Sequence, residues 1–209
     1  MLGRLGRLFR APLSGDAGEF RAFLDRQAAF VAQKTVLDYC RVKSGQRERI
    51  MFADPDFQAA LRHCRWQTWA GAVQDVTALA EAWLRPHAPG REAALAAGLV
   101  ALATALIDAA EAPAEERESL EAARDALPHH LATLQDSPPH SADRLPLLAE
   151  APLFATLPIH PEQRIGETPA IKGALRFHIV TTQQEMERAF DAPALAAALC
   201  LLGDAQKDA

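Results

Sequence analysis

Cysteine is scarce in this chain, and no hydrophobic run is long. The three cysteines, Cys40, Cys64 and Cys200, are odd in number, lie far apart and form no Cys-x-x-Cys pair. This spacing indicates neither a disulfide framework nor a zinc ribbon, and it favours the reducing cytoplasm. The longest uncharged, mainly apolar run covers the fifteen residues 93–107, short of the roughly 20 that span a bilayer. We therefore expect a cytoplasmic protein without a transmembrane helix.

The motifs that define several large enzyme classes are also missing. The sequence has no Gly-x-Ser-x-Gly, no Walker loop and no Gly-x-Gly-x-x-Gly after a strand, which argues against serine hydrolases, P-loop NTPases and dinucleotide-binding enzymes. It has neither His-Glu-x-x-His nor the paired Glu-x-x-His motifs of a di-iron bundle. We therefore predict a non-enzymatic protein with no catalytic residue, no cofactor and no metal.

A strong charge of one sign is absent as well. The 209 residues carry a net charge of -5, and the isoelectric point is about 5.8. Without a global basic field to attract it, nucleic acid is excluded as the main partner. The hydrophobic and charged fractions, 49% and 23%, are those of an ordinary globular protein that can bury a core.

Strand patterns are nearly absent, and proline or glycine stands at almost every place where a helix should begin or end. Asp54-Pro55 and Thr168-Pro169 each put a capping side chain before a proline, which is how many helices start. Residues 91–111, mostly alanine and leucine, are predicted to form the central helix. The sequence therefore predicts an all-α, multi-helix bundle of about six to eight helices.

Other helix boundaries follow from the same signals. Ser14 is predicted to cap the first long helix. Pro128 should kink or break the helix that Pro113 opens. Asp191 is predicted to start the last helix, which should end near Gly203.

The chain is predicted to divide into regions of different character. Residues 1–13 form a basic amphipathic tail, residues 14–136 a helical bundle core, residues 137–168 an irregular Pro-rich connection with a short helix, and residues 169–209 C-terminal helices that pack on the same bundle. Residues 174–182 have the β-branched content of a strand. Because a single strand would have no pairing partner, we predict a helix there.

Arginine recurs every third residue in the N-terminal segment, with apolar residues between. On a helix this spacing would set a basic strip beside an apolar strip, as in segments that lie on anionic membranes. The alternative is a frayed tail whose leucines dock on the body of the protein. Under the first interpretation, the membrane-surface residues are Arg4, Leu5, Arg7, Leu8 and Phe9.

Two tryptophans and an arginine form the first candidate binding site. Trp66 and Trp69 are three residues apart and would share one helical face beside Arg65. That face belongs either to the core or to an interface, where Trp and Arg are typical hot-spot residues. We predict that Arg65, Trp66 and Trp69 contact a partner.

The second candidate site lies at the start of a later helix. A loop delivers Arg164 and Glu167 to a helix start whose backbone N–H groups are free, a setting that can receive an anion or a partner's carboxylate. Gly173 would let another backbone approach closely. The alternative is a capped helix joined to a loop.

Histidine and cysteine give weaker candidates. Asp125 precedes His129 and His130 at near-helical spacing, but Pro128 spoils the regularity that a metal site needs. Cys64 would require a distant histidine to act as a nucleophile. Structural or solvated roles are favoured for these side chains.

The leading functional hypothesis is a non-enzymatic helical module that binds another protein, as an adaptor, assembly factor or regulator. Such a module would be cytoplasmic, either with or without peripheral attachment to the inner membrane. The alternatives are a bundle that binds a small apolar ligand and an enzyme that uses His129, His130 or Cys64. The expected partner is a protein and not nucleic acid. Contact with a membrane surface and homo-oligomer formation are left open.

Overall fold

The computed structural model describes residues 13–207, and most of them are helical. The helices are α1 (Ala17–Ser44), α2 (Glu48–Met51), α3 (Pro55–Leu84), α4 (Glu92–Asp108), α5 (Arg117–Gln135), α6 (Glu150–Thr156), α7 (Thr168–Ala189) and α8 (Ala192–Lys207). Within the described part of the chain there is no β-sheet, and an isolated parallel bridge joins Ser14 to Phe190. The all-α bundle is confirmed, as is a Pro-rich irregular segment ahead of the C-terminal helices.

Aspartates cap several helices as the sequence indicates. The Asp54 side chain accepts hydrogen bonds from the N–H groups of Asp56 and Phe57 at the start of α3, and Asp191 accepts one from Ala194 N–H, at 3.0 Å, at the start of α8. Each bond satisfies a backbone donor that the first helical turn leaves free. Both predicted starts are confirmed.

Ser14 does not cap α1, so that prediction is wrong. The cap is Asp16, whose Oδ1 accepts a hydrogen bond from Glu19 N–H at 2.7 Å. The backbone of Ser14 is instead paired with the turn between α7 and α8, donating to Ala189 O at 3.0 Å and accepting from Asp191 N–H at 2.9 Å. The chain therefore enters α1 already tied to its C-terminal helices.

Pro128 lies inside α5, which continues to Gln135, so the predicted break does not occur. Proline removes the hydrogen bond to the carbonyl of residue 124. Leu127 and Leu131 flank it and are fully buried, and their packing holds the helix together across the missing bond.

Gly203 also lies inside a helix, since α8 runs on to Lys207. A Cβ at Gly203 would collide with the carbonyl oxygen of Ala94, and one at Gly98 with that of Leu199. These glycines let the backbones of α4 and α8 touch. Close packing, and not helix termination, explains Gly203.

The centre of the bundle is α3 and not α4. Residues 68–82 of α3 are all buried, and this helix contacts α1, α4, α5, α6, α7 and α8. By contrast, Ala93, Ala97 and Ala101 of α4 line an open groove. The alanine-rich composition of α4 therefore reflects its close crossing with α8 more than a central position.

Residues 174–182 are helical and belong to α7, which confirms the predicted helix. Leu175 and Ile179 are fully buried, so packing overrides the β-branched composition. The expected close approach at Gly173 is wrong, because a Cβ there would meet nothing within 4 Å.

Asp75 is fully buried on α3 and fixes the start of α6. Its Oδ1 accepts from Leu148 N–H at 2.6 Å and its Oδ2 from Ala149 N–H at 3.1 Å. Burial raises the pKa of Asp75 to about 7, against the opposing effect of these two donors. One turn earlier, Gly71 packs so closely on Ala149 that no Cβ would fit.

Candidate functional site: a cleft beside Trp66 and Trp69

An open cleft of about 430 Å³ lies where α1 and α3 meet the residues after α4. We call it the Trp66 cleft. Its apolar lining includes Ala29 and Ala32 from α1 and Ala109 and Ala110 from the segment after α4. Since those helices are distant in sequence, the cleft exists only in the folded bundle.

Trp66 and Trp69 form one wall of the cleft. Their ring centroids are 5.4 Å apart with an interplanar angle of 86°, the edge-to-face arrangement that aromatic pairs prefer. Trp69 is buried and Trp66 half-buried. The predicted shared face is confirmed, and it serves both the core and an accessible surface.

Arg65 and Arg62 bring positive charge to the same cleft. Arg65 is half-buried, and its Nε is buried without a hydrogen-bond partner. Within residues 13–207, neither guanidinium lies within ion-pairing distance of a carboxylate. Buried polar groups usually have partners, so Arg65 is the least satisfied group at this site.

The carboxylates of the cleft lie at its rim. Asp25 and Glu111 line the cleft and are solvent-exposed, whereas Trp69 and Ala32, which also line it, are buried. Among the described residues that line the cleft, none is a serine, threonine, cysteine or histidine. The arrangement can hold an apolar group and a carboxylate, and its described lining contains no hydroxyl, thiol or imidazole side chain.

A second cleft, of about 330 Å³, adjoins the first and shares Arg62 and Trp66 with it. We call it the His63 cleft. His63 Nδ1 lies 2.7 Å from Glu116 Oε1, and Gln67 Nε2 donates to Glu116 Oε2 at 2.7 Å. Because Glu116 is almost fully buried, at 2% exposure, it fixes the orientation of the His63 ring.

Sequence reasoning missed Glu116. It belongs to a glutamate-rich stretch with Glu115, Glu118 and Glu121 that is typical of an exposed helical turn, and nothing in the pattern separates one glutamate from the others. Only the position of its turn over Gln67 and His63 buries this carboxylate.

Arg164 and Glu167 do not line either cleft. Glu167 accepts hydrogen bonds from Tyr39 OH at 2.5 Å and Lys43 Nζ at 2.7 Å, and the bonds from Lys43 and Tyr39 lower its pKa. Arg164 Nη1 donates to Phe154 O at 3.0 Å. These contacts tie the loop before α7 to α1 and to α6. Glu167 is therefore engaged within the chain, and so is Arg164 through Nη1, while Arg164 Nε is buried without a hydrogen-bond partner.

The cysteine and histidine candidates occupy separate places. Cys64 is fully buried, burial raises the pKa of its thiol, and its sulfur lies 3.9 Å from Thr68 Oγ1. His130 is half-buried, and desolvation lowers its pKa, as does neighbouring His129. In the described residues, no three or more His, Cys, Asp or Glu side chains converge in a way that could hold a metal ion.

The residues predicted to contact a membrane, Arg4, Leu5, Arg7, Leu8 and Phe9, lie outside the described residues. Between residues 13 and 207, no helix combines the length and apolarity that crossing a membrane requires.

No protein-family model, curated protein or solved structure shows significant similarity to this chain. The site therefore has to be interpreted from its own geometry.

Proposed function

We propose that this chain is a non-enzymatic helical binding protein whose Trp66 cleft receives part of a protein partner. An adaptor, assembly factor or regulator would need such a preformed surface. The proposal is supported by the types of side chain that meet in the cleft and by their incomplete satisfaction within the chain.

The observation that carries it is the half-buried Arg65 beside the edge-to-face pair of Trp66 and Trp69. Tryptophan and arginine dominate the energetics of protein interfaces when they lie in a desolvated pocket. The indoles are held by core packing, so they lose little conformational freedom on binding. A partner would gain apolar contact and a charge-assisted hydrogen bond at once.

The test is affinity capture with the intact, tagged protein in the cells it comes from. We expect a partner that the wild-type protein retains and Trp66→Ala loses. Phe177→Ala is the control, because Phe177 is 66% exposed on a different surface. The proposal would be contradicted if Trp66→Ala and Phe177→Ala captured the same proteins in equal amounts. It would also be contradicted if the wild-type protein captured nothing above background. A second copy of the chain counts as a partner if it shows the same dependence.

Membrane contact through the N-terminal segment is a separate part of the proposal. The basic and apolar alternation of residues 2–10 supports it. The full chain should float with vesicles that contain anionic lipid, and a chain without residues 1–10 should not. Equal flotation would remove the membrane part while leaving the cleft proposal intact. The unpaired cysteines support a cytoplasmic location.

Binding of a small apolar ligand has less support. Such a ligand needs an enclosed cavity that buries most of its surface. The volumes lined by Trp66 and by Phe177 are both open clefts. An open cleft with charged residues at its rim suits a protein segment better.

A further inference from the structure

We infer that the Trp66 cleft binds an extended peptide segment in which a single acidic residue stands next to an apolar one. The carboxylate pairs with Arg65, and the apolar side chain packs on Trp66 and Trp69. The inference rests on the proposed function, and it names the chemistry of the partner.

Arg65 sets the sign of the charge. Arg65 lines the cleft, and within residues 13–207 no carboxylate lies within ion-pairing distance of its guanidinium. A guanidinium is planar and carries several donors, so a carboxylate can satisfy it with two parallel hydrogen bonds. Arg62 at the same cleft adds a second positive charge.

The rim limits how acidic the occupant can be. Asp25 and Glu111 are exposed and line the cleft, so they would repel a run of several carboxylates. Water screens them, whereas Arg65 is half-buried and acts at lower effective dielectric. One carboxylate that reaches Arg65 is therefore favoured over an acidic tract.

The indoles select the neighbouring residue. Trp69 is 8% exposed and stands edge to face with Trp66. Together with Ala29 and Ala32, which also line the cleft, the indoles offer an apolar surface that an aliphatic or aromatic side chain would cover. Burying such a side chain is favourable because its surface leaves water.

The adjoining His63 cleft indicates that the occupant continues past one residue. A carboxylate can only accept a hydrogen bond, so the Glu116 carboxylate holds the proton of His63 on Nδ1. His63 is about half exposed, and Nε2 is the ring nitrogen that Glu116 leaves free. The backbone of an extended peptide that passes Arg62 and Trp66, which line both clefts, can form a hydrogen bond with it.

The experiment uses the full chain and a display library of random short peptides. We expect the selected peptides to share an Asp or Glu beside an aliphatic or aromatic residue. The selected peptides are then synthesised with acetylated and amidated ends, and their affinities are measured by fluorescence anisotropy. Replacing the acid with Asn or Gln should weaken binding by about ten- to a hundredfold.

Variants locate the carboxylate. Arg65→Ala should weaken peptide binding by a similar factor. The affinity of this variant should not change further when the acid of the peptide becomes an amide, because the two alterations remove the same interaction. Arg144→Ala is the matched control, since the Arg144 side chain is 82% exposed and lies elsewhere. Asp25→Asn combined with Glu111→Gln should improve binding of peptides that carry two adjacent acids.

The outcomes separate the two proposals. Two results would overturn this inference and leave the proposed function standing. In the first, the peptides depend on Trp66 but bind equally well without the acid. In the second, the acid-to-amide change weakens binding to Arg65→Ala as much as it weakens binding to the wild-type protein. If no selected peptide depends on Trp66, both fail. The acid-to-amide comparison uses wild-type protein, so it decides the matter even if Arg65→Ala does not fold.

Discussion

Glu81 and Arg85 form a bidentate ion pair inside the bundle. Arg85 Nε lies 2.8 Å from Glu81 Oε1, and Arg85 Nη2 lies 2.7 Å from Glu81 Oε2. The Glu81 side chain is completely buried and that of Arg85 is 11% exposed. Arg85 also donates to the carbonyl oxygens of Leu134 and Ser137, so the pair joins the end of α3 to the end of α5.

Removing one partner of this pair should strongly destabilise the fold. Arg85→Ala leaves the Glu81 carboxylate buried and removes two bonds to the end of α5, and we expect a loss of about 3–5 kcal/mol in the free energy of unfolding. Urea denaturation followed by circular dichroism measures it. Arg144→Ala, on an 82% exposed arginine, is the control and should change little. A loss for Arg85→Ala as small as that of the control would show that the buried pair does not stabilise the bundle.

The crossing of α4 and α8 should tolerate no side chain at its glycines. Gly98→Ala and Gly203→Ala each place a Cβ against a carbonyl oxygen of the other helix, so both should lower the melting temperature. Gly173→Ala is the matched change on α7, where a Cβ meets nothing, and it should stabilise the protein by about 0.5–1 kcal/mol because alanine favours the helix. The same small gain at all three positions would mean that the two backbones do not touch.

Asp75 should make the bundle less stable as the pH rises. Its pKa is raised to about 7 in the fold, above the roughly 3.9 of an unfolded chain. The folded state therefore holds the proton more tightly, and the stability that Asp75 contributes is complete below the unfolded pKa and is lost as the pH rises through about 7.

The comparison of wild type with Asp75→Asn isolates this effect. Urea unfolding at pH 4, 5.5 and 7 should show wild type losing stability relative to the variant as the pH increases. The variant loses one of the two acceptors for Leu148 and Ala149 but cannot ionise. A stability difference that is constant across this range would contradict the raised pKa.

The cysteines should be unreactive in the folded protein. Cys40, Cys64 and Cys200 are all buried, and burial raises the pKa of each thiol, to about 12 for Cys40. A thiol reagent at neutral pH should label them slowly in buffer and rapidly in urea, since the thiolate is the reactive form. Labelling of Cys64 within the mixing time, lost in Cys64→Ser, would show an accessible and activated thiol.

Local signals in the sequence were enough to predict the fold class and many helix starts. Asp54-Pro55 starts α3 and Asp191 caps α8 because capping depends on a few neighbouring residues. The predicted break at Pro128 and the predicted helix end at Gly203 are wrong for the opposite reason. Their local preference is to end a helix, and contacts made by distant residues override it.

The sequence predicts the tryptophan face of the site but not the cleft around it. The spacing of Trp66 and Trp69 on one helix fixes their common face, which the sequence shows directly. The cleft itself requires α1 and the residues after α4 to meet α3, and no local pattern encodes that meeting. The same is true of buried Glu116 and of the unpartnered Arg65 Nε, because burial is set by the tertiary packing.

Site-specific photo-crosslinking tests the central claim most directly. A photoreactive amino acid replaces Ala110, which lines the Trp66 cleft, in the intact protein within its own cells, and Arg144 in a parallel control. We predict that irradiation joins another polypeptide to position 110 and not to position 144, and that Trp66→Ala abolishes the product. The absence of a product specific to position 110, or a product that survives Trp66→Ala unchanged, would contradict the assignment of this cleft as the binding surface.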